Sequence, residues 1–138
     1  MIFNTPHTRL QGAPPAFVEP ATAPNLQDAR AWCKALAESH YENFHVTTWL
    51  LATRIRVHLS SIYAYCRVSD DLSDEAGDPL LALSLLDEWE QMLHEIYDSP
   101  ASVRHPVLIA LAETIHACGI PREPFIHLLV SFRSDQAS

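Results

Sequence analysis

Apolar positions recur with a helical beat along most of the chain. From about 54 to 75, Ile55, Leu59, Ile62, Tyr63 and Cys66 follow spacings of 4, 3, 1 and 3, with Val68 a weaker apolar position beyond them. That series returns to one face of a 3.6-residue helix, whereas a half-buried strand alternates every second residue. Gly77 and Pro79 close the segment. Between Leu80 and Tyr97, Ala82, Leu85, Leu86, Trp89, Leu93 and Ile96 form a stripe, with Asp87, Glu88, Glu90 and Glu95 mostly off it. This predicts an amphipathic helix, broken at Pro100. A further helix over about 106–118 ends in Gly119 and then Pro121, the order expected of a C-terminal cap and stop. A last one, about 122–133, gathers Phe125, Leu128, Leu129 and Phe132 on one face. An earlier helix starts after Pro24, with Asn25 as cap and Asp28 near its positive end, and continues to about Ser39. No segment reads as a strand, and there is no repeat. The pattern predicts an all-α fold of antiparallel helices joined by short turns.

Composition changes the picture at the N-terminus. Five of the ten prolines (Pro6, Pro14, Pro15, Pro20, Pro24) precede residue 25. Residues 1–24, rich in Pro, Ala and Thr and lacking periodicity, are expected to be a flexible leader, and 25–138 a helical domain. With 138 residues, 48% of them hydrophobic, the chain is one domain's worth with material for a core. A formal charge of −8 argues against a nucleic-acid partner, which needs a cationic surface. It does not argue against phosphates bridged by a divalent cation. Cys33, Cys66 and Cys118 are odd in number, contain no C-x-x-C and read as reduced thiols of a cytoplasmic protein. There is no signal-peptide pattern and no apolar run near the ~18–20 residues that span a bilayer, which leaves peripheral membrane contact open. The eight histidines show neither H-x-x-x-H nor H-E-x-x-H, so zinc is not expected.

The candidate chemistry lies at 67–75, where Arg67 is followed by Asp70, Asp71, Asp74 and Glu75. On a helix, Asp70 and Asp74 lie about 40° apart on one face, and Asp71 and Glu75 form a second pair. Like charges at i, i+4 repel, so something should offset them. Water and an Arg67–Asp71 ion pair are one answer. The other is Mg²⁺, a hard cation that takes carboxylate oxygens and completes its shell with water and substrate phosphate. Arg67 has the rigid donor fork suited to phosphate.

"HYENF" (40–44), "WLL" (49–51) and "IYAYCRVSDDLSDE" (62–75) resemble the squalene/phytoene synthase family, most closely its bacterial hopanoid branch. The resemblance implies the all-α isoprenoid synthase fold. It also implies joining of two prenyl diphosphates, with farnesyl or presqualene diphosphate converted to squalene or hydroxysqualene with Mg²⁺. By the same resemblance Asp70 and Asp74 are metal ligands, Arg67 contacts diphosphate, Tyr63 lines the cavity, and His40, Asn43 and Phe44 lie near the diphosphate. Asn43 stands where many relatives carry Ser. The implied partners are an isoprenoid diphosphate and other hopanoid-pathway enzymes. The family's second aspartate-rich motif has no match: among Asp78, Asp87, Asp98 and Asp135, no two are four residues apart. The expectation is thus the N-terminal part of a synthase, ending before that motif, with the 80–97 stripe exposed and a tendency to self-associate. Two alternatives stand beside it. A linear prenyl diphosphate synthase or terpene cyclase shares the aspartates but not the lead-in. A non-catalytic helical protein would carry the acids as a solvated face.

Overall fold

A computed structural model describes residues 8–40 and 52–137. Among them lie five α-helices and no strand: α1 Leu26–His40, α2 Thr53–Asp74, α3 Pro79–Asp98, α4 Pro106–Cys118 and α5 Glu123–Ala137. Single 3₁₀ turns occupy Pro15–Phe17 and Pro100–Ser102. The all-α expectation holds, and each helix falls within two residues of its predicted ends except the last, which runs on to Ala137.

The helix ends form where short-range chemistry satisfies the backbone. The Asn25 side chain accepts from the Asp28 N–H at 2.7 Å, and Asp78 accepts from Leu80 at 3.2 Å with Pro79 in the first turn. Gly119 takes the left-handed conformation, φ 66°, and donates its N–H to Ile115 at 2.8 Å, closing α4 as predicted.

α2 is the hub. It packs on α1, α3, α4 and α5, while α1 also lies on α4 and α5 on α3. The α3 stripe is buried in full: Ala82, Leu85, Leu86, Trp89, Met92, Leu93 and Ile96. This corrects the expectation that the stripe would be exposed. α2 and α5 cover it, and each large side chain so buried stabilises by roughly 1.5–3 kcal/mol. The Trp89 ring stacks on Tyr65, centroids 5.6 Å apart, and its Nε1–H donates to Ser69 at 2.9 Å. The Tyr65 hydroxyl donates to the Phe125 carbonyl at 3.1 Å. Among the described residues, the large apolar side chains that remain exposed are Ile55, Leu59, Leu80 and Val130.

The expected flexible leader is corrected over residues 8–20. Leu10 and Phe17 are buried in the core. Arg9 grips Glu19 with two parallel hydrogen bonds, 3.0 and 3.1 Å, and reaches Glu95 at 2.6 Å. Arg104 donates to Glu19 from its backbone at 3.0 Å and its side chain at 3.2 Å. The Leu10 N–H donates to Glu88 at 2.7 Å. The prolines hold an extended path while side chains from α3 and the start of α4 supply its hydrogen bonds. The segment is a strap across the bundle.

Candidate functional site

α2 has two faces. Tyr65, Val68, Ser69 and Leu72 point into the core. Tyr63, Arg67, Asp70 and Asp74, spaced 4, 3 and 4, form the opposite stripe. Its N-terminal continuation is apolar: Leu59 and Ile55, both exposed, fall within about 60° of Asp70 around the helix. Asp70 is half-buried and Asp74 exposed, whereas Asp71 is 9% exposed.

Arg67 organises the acids. One Nη2 donates to Asp70 Oδ2 at 2.6 Å and to Asp71 Oδ1 at 2.5 Å. Tyr63, one turn back, also interacts with the guanidinium. The Asp71 hydrogen bond is the largest of the effects that hold Arg67 above its usual range. Asp70 behaves differently. Burial first, then the neighbouring Asp74 charge, push its carboxyl up despite the arginine at 2.6 Å. Arg67 is thus chiefly the partner of Asp71, and Asp70 and Asp74 are left repelling one another. The Arg67 Nε is buried with no hydrogen-bond partner, a donor whose satisfaction would be favourable.

Of the sequence-predicted residues, the structure brings together Tyr63, Arg67, Asp70 and Asp74. His40 is the last residue of α1. Asn43 and Phe44 lie outside the described residues, as does the "WLL" of 49–51. Among the described residues, no group of three or more His, Cys, Asp or Glu side chains is placed to hold a metal ion. Two open clefts, one beside Trp32 and Pro106 and the other beside Tyr97 and Ile109, do not include the stripe. No described helix is long and apolar enough to cross a membrane. Sequence reasoning missed one contact at this end of α2: Gln136 of α5 donates to Ser73, between Asp71 and Asp74. A single sequence carries no signal that pairs residues 63 positions apart.

The family model for squalene/phytoene synthase matches residues 37–138. The chain belongs to the squalene/phytoene synthase family. Among solved structures, the squalene synthase HpnC from Alicyclobacillus acidocaldarius superposes with a TM-score of 0.72 at 38% identity, over 82% of this chain and 41% of that one. A phytoene synthase from Arthrospira platensis is 27% identical over 121 residues, 88% of this chain and 38% of the relative. The chloroplastic phytoene synthase 1 of Zea mays is 28% identical over 111 residues, 80% of this chain and 26% of the relative. The chain therefore spans well under half the length of these squalene/phytoene synthase relatives, and its fold is that of the isoprenoid synthases.

Proposed function

We propose that this chain supplies the diphosphate-facing wall of a squalene/phytoene-type synthase acting on an isoprenoid diphosphate, with farnesyl or presqualene diphosphate as substrate and squalene or hydroxysqualene as product. The observation that carries the reading is the α2 stripe, where two mutually repelling carboxylates stand beside an arginine with an unsatisfied Nε. The higher identity to a squalene synthase than to the phytoene synthases favours the squalene side.

The donor set fits Mg²⁺ in kind. Asp70 and Asp74 offer hard oxygens one turn apart, and a cation between them would relieve the repulsion that, after burial, pushes the Asp70 carboxyl up. Two carboxylates are fewer than a full shell, which Mg²⁺ commonly completes with water and substrate phosphate. Bound there, the metal would supply charge stabilisation to a departing diphosphate. Arg67 presents a positive charge to the same anion. Asp71 holds that guanidinium in place from its buried side, so its orientation is set before substrate arrives. Leu59 lies about 16 Å from Asp70 along the helix, on the same face, and offers apolar surface to a prenyl tail while the acids meet the head. Ionisation of an allylic diphosphate needs no side-chain nucleophile.

The test is diphosphate release from farnesyl and presqualene diphosphate, with and without Mg²⁺. Asp70→Asn and Asp74→Asn should each lower the rate by roughly a hundredfold. A second reading, a non-catalytic helical chain, is favoured by the lack of a three-ligand cluster among the described residues. Release no faster than the buffer rate in the parent chain would select it.

A further inference from the structure

The last turn of α2 is a poor helix terminus. Asp70, Asp71, Asp74 and Glu75 crowd the end where the helix dipole is negative, and no basic residue lies in that turn. Asp70 and Asp74 repel one another on it. The final carbonyls also lack intrahelical partners. Such an end should fray, and a frayed end cannot hold two carboxylates one turn apart.

Gln136 counters this from another helix. Its Nε2 amide donates to the Ser73 carbonyl and to the Ser73 hydroxyl, each at 2.8 Å. The carbonyl is one of the orphaned acceptors of α2, and Ser73 is 4% exposed, so the bond is made largely out of water. One turn earlier on α5, Arg133 bonds Asp87 at 3.1 Å and Glu90 at 2.7 Å on α3. Those pairs set the register of α5 against α3, and Gln136 transmits it to the end of α2.

The geometry points to Gln136 as a positioning residue: through the Ser73 carbonyl it keeps the last turn of α2 wound, so that Asp70 and Asp74 stay one turn apart for a divalent cation. This rests on the metal-binding reading of that pair. Gln136 touches neither cation nor substrate; it acts as an outer support, of the kind whose loss typically weakens metal binding by 10–100-fold.

The test measures two quantities on the 138-residue chain. Mn²⁺ affinity by titration calorimetry reads the carboxylate pair. Amide hydrogen exchange at Asp74 and Glu75 reads the turn without any metal; the Glu75 N–H bonds the Asp71 carbonyl at 2.8 Å. Gln136→Met, similar in shape but without a donor, should bind Mn²⁺ about tenfold more weakly and exchange those amides faster, with the α3 amides unchanged. Ser73→Ala keeps the carbonyl and should stay within about twofold of the parent. Gln136→Asn, whose shorter arm loses part of the contact, should fall between them, and it carries the test if the methionine variant melts below the assay temperature. Parental affinity and exchange in Gln136→Met, or in Gln136→Asn if that variant carries the test, would overturn the proposal. So would faster exchange spread evenly over α3, which is general destabilisation. If the parent and the Asp70→Asn, Asp74→Asn double variant bind Mn²⁺ equally, the metal reading itself fails and the positioning role falls with it, whatever Gln136 does to exchange.

Discussion

At the scale of single residues, the two adjacent aspartates have opposite assignments. Asp71 is nearly buried and bonded to Arg67, whereas Asp70 is raised by burial and by Asp74. Neutralising them should therefore move stability in opposite directions. Asp71→Asn strips Arg67 of its main partner and should cost about 1 kcal/mol. Asp70→Asn removes a like-charge pair at i, i+4 and should stabilise by about 0.2–0.5 kcal/mol, while weakening Mn²⁺ binding. Urea melts without metal measure both. A destabilised Asp70→Asn would mean that its bond to Arg67 outweighs the repulsion. An aspartate that lowers stability where it stands is the signature of a residue retained for binding.

At the scale of elements, α4 depends on a histidine. Burial pushes the His105 imidazole down to about 4. Nε2–H donates to the Phe17 carbonyl at 2.9 Å, and Nδ1 accepts from the Val107 N–H at 3.2 Å, capping the helix. An unfolded imidazole titrates near ~6.5. The unfolded chain thus takes up the proton first, so the cap's contribution is complete above about pH 6.5 and is lost progressively as pH falls towards 4, on the order of 3 kcal/mol in all. Thermal melts should show a midpoint falling between pH 6.5 and 5. His105→Asn should start lower at pH 7.5 and flatten that slope; parallel slopes would refute the assignment. His105 also marks how far the sequence can be read. The described helices were legible because apolar period, Asn25, the Gly77–Pro79 break and Gly119 all act within a turn or two of each other. The stripe of Tyr63, Arg67, Asp70 and Asp74 was legible for the same reason. Asp71 pairing with Arg67 was foreseen, but its burial was not, since burial comes from packing against other elements. The His105–Phe17 and Gln136–Ser73 bonds join residues 88 and 63 apart, beyond any local pattern.

At the scale of the whole molecule, the strap decides whether the bundle is closed. Its composition is that of a linker, yet residues 9–19 cover the α3–α4 junction through a buried ion group. The Glu19 side chain is fully buried between Arg9 and Arg104, themselves 16% and 19% exposed. Burial alone would push the Glu19 carboxyl up. The Arg9 bonds, the Arg104 backbone N–H and the two charges together outweigh burial and hold it below the usual carboxylate range. Its contribution is therefore present above about pH 4.3 and lost as pH falls through the lowered folded value. Glu19→Gln removes the buried negative charge that lies between the Arg9 and Arg104 guanidiniums. Breaking a buried group in this way costs about 3–5 kcal/mol, a large share of the ~5–15 kcal/mol that holds a domain together. The melting midpoint should drop by roughly 10 °C. Asp98→Asn breaks an exposed pair with Arg122 and should melt with the parent. If the two variants melt alike, the strap is a surface decoration and the bundle is closed by its helices alone. If only Glu19→Gln falls, and its Leu10 and Phe17 amides lose protection before those of Trp89, then the segment that composition marks as a leader is the part of the fold whose release opens the core first.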